Sequence, residues 1–252
     1  MENGSLGKKV FFLYPPPVLD EVLTALANQE FEVYFARDHE RLARAVKELG
    51  SSIVFINLDE GLDEEGWKAY VRRLREECPE VGIGAFTFND DPALRESYIA
   101  ELQVPCGFIV LKIGTAKTAE ILMKTLEANE ARGKRHFVRA VCPVGSSQCA
   151  MDFEGALLRA EVSNLSSAGM AVRFEGGTGL RVGTVLRDIS IAVKGQRVAA
   201  SGIIVAKNEG ADSGTYVLMF DPGSLDDVRR DKLRNMVLKL NQTAMDLVLE
   251  KA

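Results

Sequence analysis

The sequence lacks the excess of positive charge that binding to nucleic acids or membrane surfaces would need. Its 252 residues include 31 Lys and Arg against 36 Asp and Glu, which gives a net charge of -5. Because both kinds of partner are bound through a broad basic face, the composition disfavours nucleic-acid binding and membrane-surface binding. Any site for an anion must therefore be a local basic cluster.

The sequence is also poor in metal ligands and in catalytic patterns. Its four cysteines never occur as Cys-x-x-Cys, and its two histidines are His39 and His136. A zinc site is therefore disfavoured, and we predict free buried thiols in a reducing cytoplasm. Asp59 and the pair Asp90-Asp91 could be drawn together as a metal cluster, but a solvated loop is favoured. No Ser, Cys or His stands in a recognisable nucleophile–base arrangement, so we expect no enzyme, no metal and no cofactor.

Long apolar runs are missing as well. No stretch is long enough to span a bilayer, and no apolar segment of the signal-peptide type follows the first residues. We therefore expect a cytoplasmic protein without membrane insertion. The chain is 46% hydrophobic and 27% charged, as in ordinary globular proteins, and its length favours two domains.

Residues 1–126 alternate short apolar runs with amphipathic stretches. This alternation predicts a five-stranded parallel sheet with helices on both faces. Trp67 has helical spacing with its apolar neighbours and is predicted to lie in the core. Such sheets bind ligands at the carboxyl ends of their strands, so function is expected in the loops after Leu13, Ile56 and Phe86. The five strands are predicted at residues 10–14, 31–35, 53–56, 81–88 and 108–111.

The pattern changes after residue 126. Residues 127–139 are polar and contain Gly133, which suits a hinge, so they are predicted to be a linker. Residues 140–252 read as a small β-barrel or sandwich followed by a long helix. Ser224 to Asp227 form a helix-capping pattern, and the apolar face of that helix is predicted to pack on the barrel, with self-association as the alternative. That face is predicted to consist of Leu225, Val228, Met236, Leu240 and Leu247. The six strands are predicted at residues 140–144, 156–163, 169–174, 182–193, 196–206 and 216–220.

A basic segment closes the predicted linker. Arg135 and Arg139 stand four positions apart, and Lys134 adds to their charge. A guanidinium group is a planar fork of donors that suits phosphate and the acceptor edge of guanine. This segment therefore indicates a site for a guanine nucleotide that carries phosphates.

A short polar turn follows within the predicted strands. Asn164, Ser166 and Gly169 form the pattern Asn-x-Ser-x-x-Gly. Small polar residues and glycine permit a tight turn and a close approach by a flat base. Alone, either pattern is more often a solvated surface or an ordinary turn, but their occurrence together favours a ligand site.

These two patterns resemble the PilZ family, the bacterial receptors for cyclic di-GMP, over roughly residues 130–250. The family has Arg-x-x-x-Arg before a six-stranded barrel, then Asp/Asn-x-Ser-x-x-Gly inside it. The resemblance implies that Arg135 and Arg139, with Lys134, hold phosphate and guanine. It also implies that Asn164 and Ser166 bond a guanine edge or phosphate, and that Gly169 allows a turn that a side chain would block. The family often has Asp at the position of Asn164, and the amide keeps the acceptor oxygen but loses the charge.

The N-terminal half resembles the receiver domains of response regulators, but in a degenerate form. Tyr14 and two prolines stand where a receiver has the acidic pair that holds magnesium, and Asn57 replaces the phosphoacceptor aspartate. An amide cannot form an acyl phosphate. Asp59 lies two residues further on and is expected to project differently, whereas Thr87 and Lys112 match the switch hydroxyl and the lysine of that family.

The sequence therefore predicts an effector that binds cyclic di-GMP through a PilZ barrel preceded by a pseudo-receiver domain. We expect the arm of residues 133–139 to close over the nucleotide and to change the arrangement of the domains. The resemblance implies control of motility, surface or virulence behaviour through an unidentified protein partner, for which flagellar or other surface machinery is one candidate. The alternatives are a phosphorylation-dependent adaptor and a PilZ-type interaction module that binds no nucleotide.

Overall fold

The computed structural model describes residues 7–133, 136–175, 179–208 and 214–252. The chain divides into two compact units, Met1–His136 with Gln242–Ala252, and Phe137–Asn241. This division differs from the predicted boundaries of 1–126, 127–139 and 140–252, because the end of the chain belongs to the first unit. The first part of the predicted linker also belongs there: Ala131 is buried and accepts a hydrogen bond from Lys8 N at 2.9 Å.

The first unit is a five-stranded parallel sheet in the order β2-β1-β3-β4-β5, as predicted. Its strands are almost continuously buried, because helices cover both faces. The strands are β1 (Lys9–Leu13), β2 (Val33–Ala36), β3 (Ser52–Asn57), β4 (Gly82–Thr87) and β5 (Phe108–Val110). The helices are α1 (Asp20–Asn28), α2 (His39–Leu49), α3 (Glu64–Glu77), α4 (Pro92–Glu96), which continues into a π-helical turn (Ser97–Glu101), and α5 (Thr115–Ala128).

Aspartates begin three of these helices. The carboxylate of Asp38 accepts from Arg41 N at 2.9 Å before α2, and Asp63 accepts from Gly66 N at 2.8 Å before α3. Asp91 accepts from Ala93 N at 2.9 Å before α4. Each carboxylate satisfies one of the amide groups that have no partner inside the first turn. Asp91 is therefore a helix cap.

The second unit contains the predicted six-stranded barrel. The antiparallel strands run β8-β7-β10-β11-β12-β9, and pairing of β9 with β8 closes the ring. β6 pairs with the end of β8 outside that ring. The strands are β6 (Arg139–Val141), β7 (Ser147–Phe153), β8 (Ala156–Ser166), β9 (Gly169–Phe174), β10 (Val185–Val193), β11 (Gln196–Lys207) and β12 (Thr215–Phe220).

One barrel strand was not predicted from the sequence. β7 alternates buried Cys149 and Met151 with exposed Gln148 and Asp152. It contains none of the β-branched residues that usually mark a strand. The predicted strand at residues 140–144 is the short β6, which is not part of the ring. The prediction of six ring strands is therefore confirmed, while the identity of one of them was wrong.

Helix α6 (Asp227–Lys251) follows the barrel. Met236 and Leu240 pack in the barrel core, as predicted, together with Leu233 and Val237. Val228 and Leu247 were predicted on the same face, but they are 77% and 54% exposed. The residues beyond Asn241 belong to the first unit, where they contribute Met245 and Leu249 to its core.

The end of α6 is attached to the edge strand of the parallel sheet. The side-chain amide of Gln242 accepts from Phe35 N at 2.8 Å and donates to Phe35 O at 3.0 Å. A single amide thus satisfies both backbone groups of one β2 residue, as a neighbouring strand would. Among the helices of the described ranges, none is long and apolar enough to cross a membrane.

Candidate functional site

The β8–β9 hairpin is shaped by the hydroxyl of Ser166. Ser166 lies at the end of β8 and is 6% exposed. Its Oγ donates to Gly169 O at 3.0 Å and accepts from Gly169 N at 3.1 Å and from Ala168 N at 3.3 Å. A hydroxyl has one donor and two acceptor positions, and the turn uses all three. Ser166 therefore holds the hairpin in shape, whereas the sequence predicted that it would bond the ligand.

Gly169 begins β9, where the backbone is extended. Its φ is not positive, so the turn itself does not require a glycine. The requirement comes from the next strand, since a Cβ on Gly169 would lie 2.3 Å from Leu218 O on β12. The same turn is tied to β12 by a bond of 2.9 Å from Phe220 N to Ala168 O. Glycine is thus needed here for a close approach of two strands.

Asn164 follows an irregularity in β8. The pairing of β8 with β9 shifts register between Val162 and Asn164, which leaves Ser163 as an extra residue. The hydroxyl of Ser163 donates to Ala171 O at 3.2 Å. Bulges of this kind change the direction of neighbouring side chains. Asn164 is half-buried beside Val141 of β6.

Arg139 lies directly opposite the hairpin. It is the first residue of β6, it is exposed, and it pairs with Ser166 across the strands. Its carbonyl oxygen accepts from Asn241 Nδ2 at 3.3 Å, which ties β6 to helix α6. The structure therefore brings Arg139, Asn164, Ser166 and Gly169 together at one end of the barrel. Lys134 and Arg135, predicted for the same site, lie outside the described residues.

A family comparison identifies this unit. The model of the PilZ domain matches residues 133–239. These residues are a PilZ domain. The resemblance inferred from the two short motifs is therefore confirmed, and a PilZ domain is a regulatory ligand-binding module. No curated protein matches the chain.

Solved structures similar to this chain cover both halves. The PilZ domain of YcgR from Escherichia coli with c-di-GMP is 16% identical, with a TM-score of 0.39 over 45% of this chain and 96% of that one. YcgR from Escherichia coli in complex with c-di-GMP is 16% identical, with a TM-score of 0.41 over 47% of this chain and 51%, about half, of that one. A response regulator from Thermotoga maritima is 21% identical, with a TM-score of 0.38 over 48% and 99%.

The receiver-like unit has its own polar cluster where β3 ends. Asn57 is buried, and its Nδ2 donates to Tyr14 O at 2.8 Å. Its Oδ1 accepts from Asp59 N at 3.1 Å. Both ends of the amide are thus bonded to the backbone of neighbouring loops. Asn57, which the sequence matched to the position of a phosphoacceptor, therefore joins the segments that follow β1 and β3.

Asp59 and Thr87 complete this network. The carboxylate of Asp59 accepts from Thr87 Oγ1 at 2.5 Å and from Phe88 N at 2.7 Å. Thr87 Oγ1 accepts in turn from Asn89 N at 2.9 Å. The hydroxyl of Thr87, which the sequence matched to the switch hydroxyl of receivers, therefore donates to the carboxylate of Asp59.

The predicted lysine of a receiver is separate from that network. Lys112 Nζ lies 3.2 Å from a carboxylate oxygen of Asp90, and the hydrogen bond holds the pKa of Asp90 below its usual value. Asp59, Asp90 and Asp91 therefore have three different partners. No group of three or more His, Cys, Asp or Glu that could hold a metal occurs among the residues with described positions.

Aromatic rings surround Tyr14, which stands where the sequence resemblance predicted an acidic pair. Tyr14 Oη lies 3.0 Å from His39 Nδ1, and the edge of the Trp67 ring meets His39 at a centroid distance of 5.7 Å. Tyr70 Oη donates to His39 O at 3.0 Å. Gly61 has φ +91, and a Cβ there would lie 2.8 Å from the Tyr14 ring. Trp67 is fully buried, as predicted.

All four cysteines are free and buried, as predicted: Cys78, Cys106, Cys142 and Cys149. Burial raises the pKa of Cys149 to about 12 and that of Cys106 to about 11. The thiolate is the reactive form, so these thiols are protonated and inert at neutral pH.

Proposed function

We propose that this protein is a cytoplasmic, non-enzymatic receptor that binds cyclic di-GMP at the end of its PilZ domain. The pairing of β6 with the end of β8 supports this most strongly, because it places Arg139 opposite Ser166. Two motifs that are separate in the sequence thereby border the same surface. The ligand carries two phosphates and two guanines, which suit an arginine and an amide placed side by side.

Each residue has a role that follows from its chemistry. The exposed guanidinium of Arg139 holds a phosphate and the O6/N7 edge of a guanine by forked hydrogen bonds. Arg135 and Lys134 add further charge from the same arm. Asn164 offers its half-buried amide to a guanine edge. Ser166 and Gly169 act through the hairpin, which they hold close to β12.

Ligand binding has a consequence for the whole chain in this proposal. The arm of residues 133–139 precedes the barrel, so its closure over the nucleotide changes the arrangement of the two units. That change regulates motility, surface or virulence behaviour through a protein partner, and no further cofactor takes part. Solution scattering with and without cyclic di-GMP tests this step. Identical scattering profiles at saturating ligand would contradict the change of arrangement. They would not contradict the proposed binding site.

Calorimetric titration of the full chain with cyclic di-GMP tests the binding site. Arg139→Ala is expected to remove roughly 2–5 kcal/mol of binding free energy, as for other charged partners in buried pairs. Arg139→Lys keeps the charge but loses the fork, so it should recover part of that loss. Arg197→Ala is the matched control, because Arg197 is an exposed arginine on β11 of the same barrel.

The Arg197→Ala control shows whether loss of any exposed arginine of the barrel weakens binding. Arg197→Ala should bind like the unchanged protein, since Arg197 lies on a strand that pairs with neither β6 nor β8. Equal affinity of all four proteins would refute the site. Absence of binding in the unchanged protein would refute the function and favour an interaction module without a nucleotide.

A further inference from the structure

One row of residues crosses the outer face of the barrel from the candidate site to an apolar surface. Gly169 pairs with Met219 of β12, Met219 pairs with Ile203 of β11, and Ile203 pairs with Val185 of β10. On the other side of Gly169, the hairpin brings Ser166 and its partner Arg139 into line. We name this set the outer row: Arg139, Ser166, Gly169, Met219, Ile203 and Val185.

The outer row points away from the barrel interior. Successive side chains of a strand alternate between the two faces of a sheet, and the neighbours of the row are core residues. The buried neighbours are Ala140, Leu165, Met170, Leu218, Ile204 and Leu186. The side chains of Arg139, Met219 and Val185 therefore meet solvent or whatever binds there, whereas the hydroxyl of Ser166 is bonded within the hairpin.

The far end of the row is apolar and accessible. Met219 is 53% exposed and Val185 is 54% exposed, with Ile203 half-buried between them. Val205, on the same strand as Ile203, is 41% exposed. Single exposed apolar residues are common on protein surfaces, but here two lie in one cross-strand row, joined by the half-buried Ile203, beside the candidate site.

Along the row, a charged side chain is followed by an apolar surface, in the same order as the phosphate and the base of a nucleotide. Arg139 supplies a positive charge at one end, Gly169 has no side chain in the middle, and Met219 supplies an apolar surface beyond it. Arg139 and Met219 are three strand spacings apart, about 14 Å between their backbones. Both side chains are long and can reach towards each other over the glycine. A phosphate at Arg139 would therefore leave an attached base above Gly169 and Met219.

We infer that Met219, supported by Ile203 and Val185, is the platform for one purine base of the dinucleotide whose phosphate Arg139 holds. This inference rests on the proposed function. A thioether makes favourable contacts with aromatic rings, and methionine adapts to the shape of what it meets. Binding sites for small molecules combine such apolar surfaces with a few placed polar groups. The requirement for glycine at position 169 also leaves the surface next to the platform uncovered.

Calorimetric titration of the full chain with cyclic di-GMP, at two salt concentrations, tests the platform. Met219→Glu should weaken binding by about tenfold or more, since it removes the apolar contact and places a carboxylate near a phosphate. Met219→Leu keeps an apolar surface and should stay within about threefold. Leu157→Glu is the matched control, because Leu157 is 62% exposed on β8, away from the row.

The dependence of affinity on salt concentration distinguishes the apolar contact of Met219 from the phosphate contact of Arg139. Loss of the Arg139 charge in Arg139→Ala should flatten the decrease of affinity with rising salt. Met219→Ala should lower affinity by about threefold without changing that dependence, since no charge is lost. It also serves as a second variant if Met219→Glu alters the thermal unfolding of the domain.

The outcomes distinguish the inference from the function on which it rests. Absence of binding in the unchanged protein would overturn both. Tight binding by the unchanged protein and by Met219→Glu and Met219→Ala would overturn the platform alone, and would leave this surface to a protein partner. Equal weakening by Met219→Glu and Leu157→Glu would also overturn it, because it would reveal a general effect of negative charge. Weakening by the Met219 variants alone would support it.

Discussion

Two regions of this chain lie where their folds commonly bind ligands, and they differ in what their polar groups do. At the carboxyl end of the parallel sheet, Asn57 is bonded within its own chain at both ends of its amide. At the end of the barrel, Arg139 is exposed beside a hairpin and an apolar surface. The polar amide of the first region is therefore satisfied within the chain, whereas the guanidinium group of the second is exposed.

The difference shows that a fold provides a position and that individual residues decide its use. In the sheet region, the hydroxyl of Thr87, which the sequence matched to the switch hydroxyl of receivers, is hydrogen-bonded to Asp59 at 2.5 Å. Tyr14, which stands where the resemblance predicted an acidic pair, meets the Trp67 ring and lies within hydrogen-bond distance of His39. The barrel region instead uses Ser166 to shape the surface and leaves Arg139 available. Of the two regions, only the barrel therefore carries the candidate site.

The largest effect on stability is expected from the end of helix α6. Met245→Ala removes a side chain that is 4% exposed in the core of the first unit, so it should cost about 3 kcal/mol of unfolding free energy. Affinity for cyclic di-GMP should stay within about threefold, because the proposed site lies in the other unit. Urea unfolding and calorimetry measure the two effects, and Leu247→Ala, at a residue 54% exposed, is the control.

A loss of binding in Met245→Ala equal to that in Arg139→Ala would contradict the distinction between the sheet region and the barrel region. It would mean that the nucleotide site depends on the core of the receiver-like unit. The control should change neither quantity by more than about 0.5 kcal/mol, as is usual for surface positions.

The next effect is expected at the hairpin. Gly169→Val would place a Cβ 2.3 Å from Leu218 O, so β9 and β12 must separate, at a cost of about 2 kcal/mol. Separation of these strands should also disrupt the outer row and abolish measurable binding of cyclic di-GMP. Thermal unfolding and calorimetry measure both effects. Gly179→Ala is the control, since nothing lies within 4 Å of the Cβ it adds; native-like binding in Gly169→Val would contradict the role of the close approach.

A smaller effect is expected from the turn hydroxyl. Ser166→Ala removes the acceptor for Ala168 N and Gly169 N, and loss of such a partner costs about 1–2 kcal/mol. Binding should weaken indirectly, through a looser hairpin, and hydrogen exchange at the two amides should accelerate. Ser190→Ala, at an exposed serine on β10, should do neither. Weaker binding with unchanged exchange would mean that the hydroxyl contacts the ligand directly.

No phosphorylation is expected in the sheet region. Incubation with acetyl phosphate and magnesium, followed by intact-mass measurement, should leave both the unchanged protein and Asn57→Asp unmodified. Asn57→Asp restores a carboxylate, but Tyr14 stands where the metal-binding acids would be, and Thr87 remains bonded to Asp59. A gain of one phosphate by the unchanged protein would instead support a phosphorylation-dependent adaptor.

The sequence predicted the elements that local pattern determines. The strands of the sheet were predicted because both of their faces are apolar, and the start of α6 was predicted from the capping pattern of Ser224 to Asp227. β7 was missed because Gln148 and Asp152 interrupt its apolar residues. The amphipathic pattern of α6 showed that it must pack, but not that Met245 and Leu249 would pack in the first unit.

The residues of the candidate site were indicated by the sequence, and their contacts within the fold were not. The spacing of Asn164, Ser166 and Gly169 indicated a site, whereas the saturated hydroxyl of Ser166 and the approach of Leu218 to Gly169 depend on tertiary contacts. Met219 carries no local signal at all. Its place beside Gly169 follows from strand register, which a single sequence does not reveal.

Hydrogen–deuterium exchange of the full chain with and without cyclic di-GMP tests the contrast between the two regions most directly. Saturating ligand should protect the amides of β6, of the β8–β9 hairpin and of β12 around Met219. The amides that follow β1 and β3, near Tyr14 and Asn57, should exchange as they do without ligand. Protection near Tyr14 and Asn57, with none in the hairpin, would contradict the assignment of the nucleotide site to the barrel.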